Sequence, residues 1–116
     1  AMQPPLTPAV FHILLALVQG DQHGYGIMKH AEHQSDGKVK LGPATLYTTI
    51  RKLQNADYLE ELSERPDTEL DDARRRYYRL TPAGRQLLGA ELERMDRLVR
   101  LGSRLGAYHR TDFGRA

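Results

Sequence analysis

The order of periodicities along the chain constrains its fold more than any other feature. Three helical patterns are followed by two extended runs and then one long helical pattern, all within 116 residues. Thr7-Pro8 announces the first helix, a hydroxyl able to cap followed by proline at the first helical position. Val10, Phe11, Ile13, Leu14, Leu15, Leu17 and Val18 follow, and Gly20 stops the run. At helical spacing these side chains cover an arc of roughly 200°, wider than the stripe of about 100° that one core contact needs. Such a helix wants two partners, and in so short a chain the second is expected to be another copy of itself.

His23-Gly24-Tyr25-Gly26 opens a second, shorter helix to about His33, ended by Ser35-Asp36-Gly37. Lys38 to Leu41 is a brief extended link, and Gly42-Pro43 starts a third helix to about Ala56. The inner face of that helix is Leu46, Ile50 and Leu53, and its outer face is Thr45, Thr48, Thr49, Arg51, Lys52 and Asn55. Two extended runs, Tyr58–Glu64 and Arg75–Leu80, form a hairpin; its long loop holds the turn Arg65-Pro66-Asp67 and an acidic stretch up to Asp72. Thr81-Pro82 repeats the opening signal and starts a fourth helix to about Leu105, with a frayed tail from Gly106. Leu88, Leu92, Met95 and Val99 step along it by four, three and four, a coiled-coil-like seam. Leu87, Leu98, Leu101 and Leu105 line a neighbouring strip, and again the apolar arc is too wide for one neighbour.

Composition narrows the function classes. Hydrophobic residues make up 40% and charged residues 28%, the balance of one globular domain rather than of a disordered chain. There is no cysteine, which excludes disulfides, thiolate nucleophiles and cysteine-based zinc sites. No apolar run approaches the roughly 20 residues of a membrane span, so no membrane partner and a cytoplasmic location are expected. The net charge of +2 is a weak hint, but the charges are sorted. Carboxylates crowd into positions 57–72, Arg74, Arg75, Arg76 and Arg79 follow, and Val39 to Ala56 carries cations with no carboxylate.

Helix, helix, helix, hairpin is the layout of a winged helix, a helix-turn-helix variant whose third helix enters the major groove. Such a helix needs an apolar inner face and an outer face of short polar donors and cations. Thr45, Thr48, Thr49, Arg51 and Lys52 supply that face, although a plain solvated helix would also be polar there. Arg74, Arg75 and Arg76 stand where a basic wing reaches phosphates, while Asp67, Glu69, Asp71 and Asp72 either pair with them or hold the wing away from a duplex. His30 and His33 share a helix face with Glu32 between them and His23 upstream, but two ligands do not complete a metal site, and none is expected. No cofactor is expected either. With no glycine-rich phosphate loop and no serine beside a plausible base, the chain is not expected to be an enzyme.

Three motifs, His23-Gly24-Tyr25-Gly26-Ile27, Gly42-Pro43-Ala44-Thr45-Leu46-Tyr47 and Arg76-Tyr77-Tyr78-Arg79-Leu80-Thr81-Pro82-Ala83-Gly84-Arg85, resemble the PadR family of bacterial transcriptional regulators. The resemblance runs from about Leu14 to Leu98, and a single C-terminal helix matches the short subfamily. It implies a mainly α fold with a small β-hairpin, a winged helix-turn-helix over residues 6–82, a dimerisation helix over 82–105 and a tail over 106–116. It further implies a homodimeric repressor on a pseudo-palindromic double-stranded DNA operator, in some members released by a phenolic or drug-like effector near the dimer core. Thr45, Tyr47, Thr48 and Arg51 fall on the family's recognition helix, Tyr25 on the start of its second helix and Arg74 to Arg76 on its wing. Tyr47 either reaches phosphate or packs behind the helix. Ala44 replaces a glycine common in the family. Without tryptophan, the family's stacking platform for flat effectors does not carry over. Phe11, Leu14, Val18, Leu88, Leu92, Met95 and Val99 are the candidate dimer interface or effector pocket. A winged helix used for protein contact and a metal-responsive winged helix are the alternatives.

Overall fold

The computed structural model describes residues 2–62 and 76–109. Its elements run α1 (Pro8–Val18), β1 (Gln22–His23), α2 (Gly24–Gln34), α3 (Pro43–Asn55), β2 (Leu59–Glu61), β3 (Tyr77–Leu80) and α4 (Pro82–Arg104). The expected helices stand at their expected places because their end signals operate. The Thr7 Oγ1 accepts from the Val10 amide at 3.2 Å, and the Thr81 Oγ1 accepts from the Gly84 amide at 3.0 Å. Both helices carry proline in their first turn. Asp36 and Gly37, both with positive φ, turn the chain out of α2. Gly106 ends α4 with φ 79°, and amides 106 and 107 return to the Ser103 and Gly102 carbonyls at 3.1 and 2.9 Å.

The sheet has three strands rather than the two of a hairpin. Its order is β1-β3-β2, antiparallel throughout, with Gln22 opposite Tyr78 and Leu59 opposite Leu80. Two residues are too few to show alternation, so β1 leaves no mark in the sequence. The Arg79 guanidinium on β3 pairs with Asp21 at 3.2 Å, which ties the approach to β1 onto the central strand. The loop with Arg65-Pro66-Asp67 and the acidic stretch to Asp72 lies outside the described residues, as do Arg74, Arg75 and the tail beyond residue 109.

One core joins all the helices and the sheet. Ile13, Leu14 and Leu17 of α1 meet Ile27, then Leu46, Ile50 and Leu53 of α3, Tyr78 and Leu80 of β3, and Leu87 and Leu88 of α4. This corrects the reading of α1. Its wide apolar arc is largely consumed inside the chain, because α1 is the central helix, touching α2, α3, α4 and β3. The first half of α4 belongs to the same packed body, so the core passes across residue 82 without a break.

A charged residue lies in this interior. Glu91 is 1% exposed, on the face of α4 that carries Leu87 and Leu88. Its carboxylate accepts from Arg94 at 2.6 and 3.0 Å and from the Leu6 amide at 3.0 Å. The guanidinium holds the carboxyl below its ordinary range, against burial, which pushes it up, and the Leu6 amide adds to the lowering. With the Met2 amide on the Tyr58 hydroxyl at 3.0 Å, this pins residues 2–7 across the body. Gln34 donates to the His12 carbonyl at 2.9 Å and bridges α2 to α1, where burial draws the His12 imidazole below its usual value.

Candidate nucleic-acid interface

The motif at the start of α2 is explained by what surrounds it. His23 caps the helix through its ring, with Nδ1 accepting from the Gly26 amide at 3.0 Å. A ring nitrogen that accepts is unprotonated, so the proton of this imidazole sits on Nε2. The His23 ring packs edge-on to Tyr77 at 5.3 Å and against Tyr25 at 6.3 Å. Gly24 has no side chain because the Tyr47 hydroxyl occupies the place of a β-carbon. Tyr47 is half-buried, with its hydroxyl wedged against the N-terminus of α2. Tyr25 faces outward, 58% exposed, with the Lys29 ammonium 5.6 Å above its ring.

Helix α3 presents a buried strip and an exposed one. Leu46, Ile50 and Leu53 are buried. Directly opposite, Thr45, Thr48, Arg51, Lys52 and Asn55 are exposed, with no carboxylate among them. Among the described residues, neither Arg51 nor Lys52 has an ion-pair partner. Thr49 differs from its neighbours: it is half-buried, and its hydroxyl donates to the Thr45 carbonyl at 2.7 Å. That donor is spent on the helix itself.

A cleft flanks α3 on each side. Towards the N-terminal segment, Thr49 and Lys52 join Met2, Gln3, Pro5, Leu6, Thr7 and Val10 around about 300 Å³. Towards the sheet, Tyr47, Ile50, Arg51 and Gln54 join Glu61, Arg76 and Tyr78 around about 270 Å³. Glu61 and Arg76 meet at 3.6 Å across the strand ends, both open to solvent. Burial raises the Tyr78 phenol, the nearby Glu61 charge adds to the rise, and Arg76 and Arg51 oppose it. Glu61 went unremarked in the sequence because its role depends on facing Arg76 across β2 and β3. The signal for Glu91 was present, since a carboxylate three residues after Leu88 falls on an apolar face.

Of the residues expected at a dimer interface or effector pocket, Leu14 and Leu88 are 0% and 3% exposed within the chain's own core. They are therefore unavailable for either role, because the expected seam shared a helix face with intrachain packing. Phe11, Val18 and Met95 are half-buried, whereas Leu92 and Val99 are exposed. Leu98, Leu101 and Leu105 continue that exposed apolar surface along the second half of α4. His30 and His33 line an open hollow with Lys29, Glu32, Asp36 and Gly37 at the end of α2. Among the described residues no group of three or more His, Asp or Glu side chains is placed to hold a metal ion. Nor is any described helix long and apolar enough to cross a membrane.

A family model described as the transcriptional regulator PadR-like family matches residues 13–90. An uncharacterised 37.1 kDa protein in transposon TN4556 of Streptomyces fradiae is 37% identical over 86 residues, 74% of this chain and 22% of that protein. The chain thus spans less than a quarter of that relative. A solved transcriptional regulator from Clostridium thermocellum is similar at a TM-score of 0.64 and 26% identity, over 82% of this chain and 89% of the other. A solved PadR family transcription regulator from Clostridium difficile R20291 shares the fold at a TM-score of 0.67 and 19% identity, over 85% and 98%.

Proposed function

This chain belongs to the PadR-like family of transcriptional regulators, and from that premise we propose that it is a homodimeric repressor that reads a pseudo-palindromic operator with α3. It is a DNA-binding regulator rather than an enzyme. The observation that carries the finer reading is the outer strip of α3, exposed, free of carboxylates and holding two cations without described partners. Thr45, Thr48 and Arg51 are assigned to base edges or phosphates, Lys52 and Tyr25 to phosphates, and Arg76, with Arg74 and Arg75 before it, to the wing contact. Tyr47 supports α3 from behind, and Thr49 is assigned a helix-flank role.

The second half of α4 supports the dimer. Leu92, Leu98, Val99, Leu101 and Leu105 leave an apolar strip in water, which a second copy would cover. Two recognition helices related by a twofold are expected to sit about 34 Å apart, one turn of duplex. Phe11, Val18, Met95 and Val99 are assigned to the dimer contact or to a small apolar or phenolic effector, methionine adapting to its shape.

Fluorescence anisotropy against DNA from upstream of the protein's own gene, with scrambled DNA as control and both in a salt series, tests the reading. Tight, selective binding that weakens steeply with salt is expected. Arg51→Ala is expected to lower operator affinity while leaving the melting curve in place. Equal, weak and salt-insensitive binding to both fragments would overturn the assignment.

A further inference from the structure

The cleft between α3 and the sheet sets a carboxylate, Glu61, beside two cations already assigned to DNA, Arg51 and Arg76. Its cations come from two elements, Arg51 from α3 and Arg76 from the residue before β3. Strand alternation explains the rest. Tyr78 and Leu80 are buried towards the helices, so Arg76, two residues before Tyr78, falls on the same face of the sheet. Glu61 is opposite Tyr78 in the ladder and lies on that face too. The core ends there, and the three charged groups stand at its mouth with the tyrosines behind them.

Their charges do not balance. Among the described residues two guanidinium groups, of Arg51 and Arg76, line the cleft with one carboxylate, and the contact between Arg76 and that carboxylate is loose. Glu61 Oε2 is 3.6 Å from Arg76 Nε, too long for a charge-assisted hydrogen bond, with the side chains 33% and 51% exposed. An ion pair this wet contributes little and exchanges readily. A phosphodiester offers Arg76 two oxygens for its fork and brings charge within reach of Arg51 as well.

We propose that this cleft is a seat for one phosphodiester of the duplex, held by Arg51 and Arg76, and that Glu61 is a tethered counter-anion the phosphate must displace. The proposal rests on the DNA-binding reading and adds a residue that weakens binding. Glu61 cannot leave, because β2 fixes its backbone, so it stays close to the incoming phosphate and opposes it. Like charges at such range in water shift an equilibrium by about three- to tenfold. The residue therefore lowers affinity for any duplex, whatever its sequence.

The test uses the full chain, a fluorescein-labelled duplex of random sequence, and anisotropy across a salt series. Glu61→Gln is expected to tighten binding about three- to tenfold at low salt and to steepen the salt slope by up to about one. Arg76→Gln is expected to flatten that slope by a similar amount, and Glu61→Gln in the Arg76→Gln background to gain much less than it does alone. A thermal melt of each variant confirms that the fold is kept. If Glu61→Gln leaves affinity and slope unchanged, or gains equally in both backgrounds, while Arg51→Ala weakens binding, the seat is wrong and the DNA reading stands. If the unaltered chain shows no salt-dependent binding to the duplex, both fail together.

Discussion

Replacing Glu91 by Gln probes the buried charge directly. The carboxylate is 1% exposed and makes three hydrogen bonds, two from Arg94 and one from the Leu6 amide. Glutamine keeps the shape and one carbonyl oxygen, so the Leu6 amide can still be satisfied. What is lost is the charge assistance of the Arg94 pair, while Arg94, partly exposed, turns to water. A bond to a charged group contributes about 1.5–3 kcal/mol, and part is recovered on rehydration, so the expected loss is about 1–3 kcal/mol. In a domain of this size that is a fall of roughly 5–20 °C in melting temperature at fixed protein concentration. The pH dependence makes the reasoning refutable. The Glu91 carboxyl is held below its ordinary value in the folded state, so its contribution is fully present above the ordinary carboxylate range. It is lost as pH falls through the lowered native value. Urea melts of both proteins should therefore differ by a constant amount near neutral pH, and the gap should narrow below about pH 5. A gap that is absent at pH 7, or that widens as the solution is acidified, would refute the assignment of Glu91 as a stabilising buried anion.

Further outcomes follow from the packing of the two motif glycines and from α3. Gly84→Ala drives a β-carbon into the Tyr58 carbonyl oxygen, a backbone atom that also accepts from the Thr81 amide at 3.1 Å. A loss of about 1–3 kcal/mol is expected in chemical denaturation, despite alanine's better helix propensity, and an unchanged midpoint would show that α4 can shift freely. Gly24→Ala meets the Tyr47 ring and hydroxyl; it should destabilise, and Tyr47→Leu in the same chain should recover part of the loss, which a double-mutant cycle measures. Thr48→Val should weaken operator binding in anisotropy, whereas Thr49→Val should barely change it, because only the Thr49 hydroxyl is already engaged by its own helix. The opposite ranking would reverse which strip of α3 faces the duplex.

Most of the secondary structure was legible because its signals are local. Thr7-Pro8 and Thr81-Pro82 start helices by satisfying free amides within a few residues, and Gly106 ends one by adopting a backbone that other residues avoid. The faces of α3 were legible for the same reason, since a period of 3.6 residues fixes which side chains share a strip. The outer strip of Thr45, Thr48, Arg51, Lys52 and Asn55 stands exposed as its spacing required, while Thr49, on its flank, is half-buried and bonded to the Thr45 carbonyl.

Periodicity states that a face is apolar but not what covers it, and there the tertiary structure decided. The wide arc of α1 called for two partners, and the chain supplied them from its own helices and sheet, which took Leu14 and Leu88 out of any interface. On α4 the same kind of arc divides, its first half sunk in the core and its second half left in water. Pairings between distant segments were equally silent in the sequence. The third strand at Gln22–His23, the Tyr47 hydroxyl against Gly24, the grip of Glu91 on Leu6 and the facing of Glu61 and Arg76 each join residues far apart along the chain. Such contacts depend on where whole elements come to rest, and that is set by the packing of the core rather than by the residues that meet.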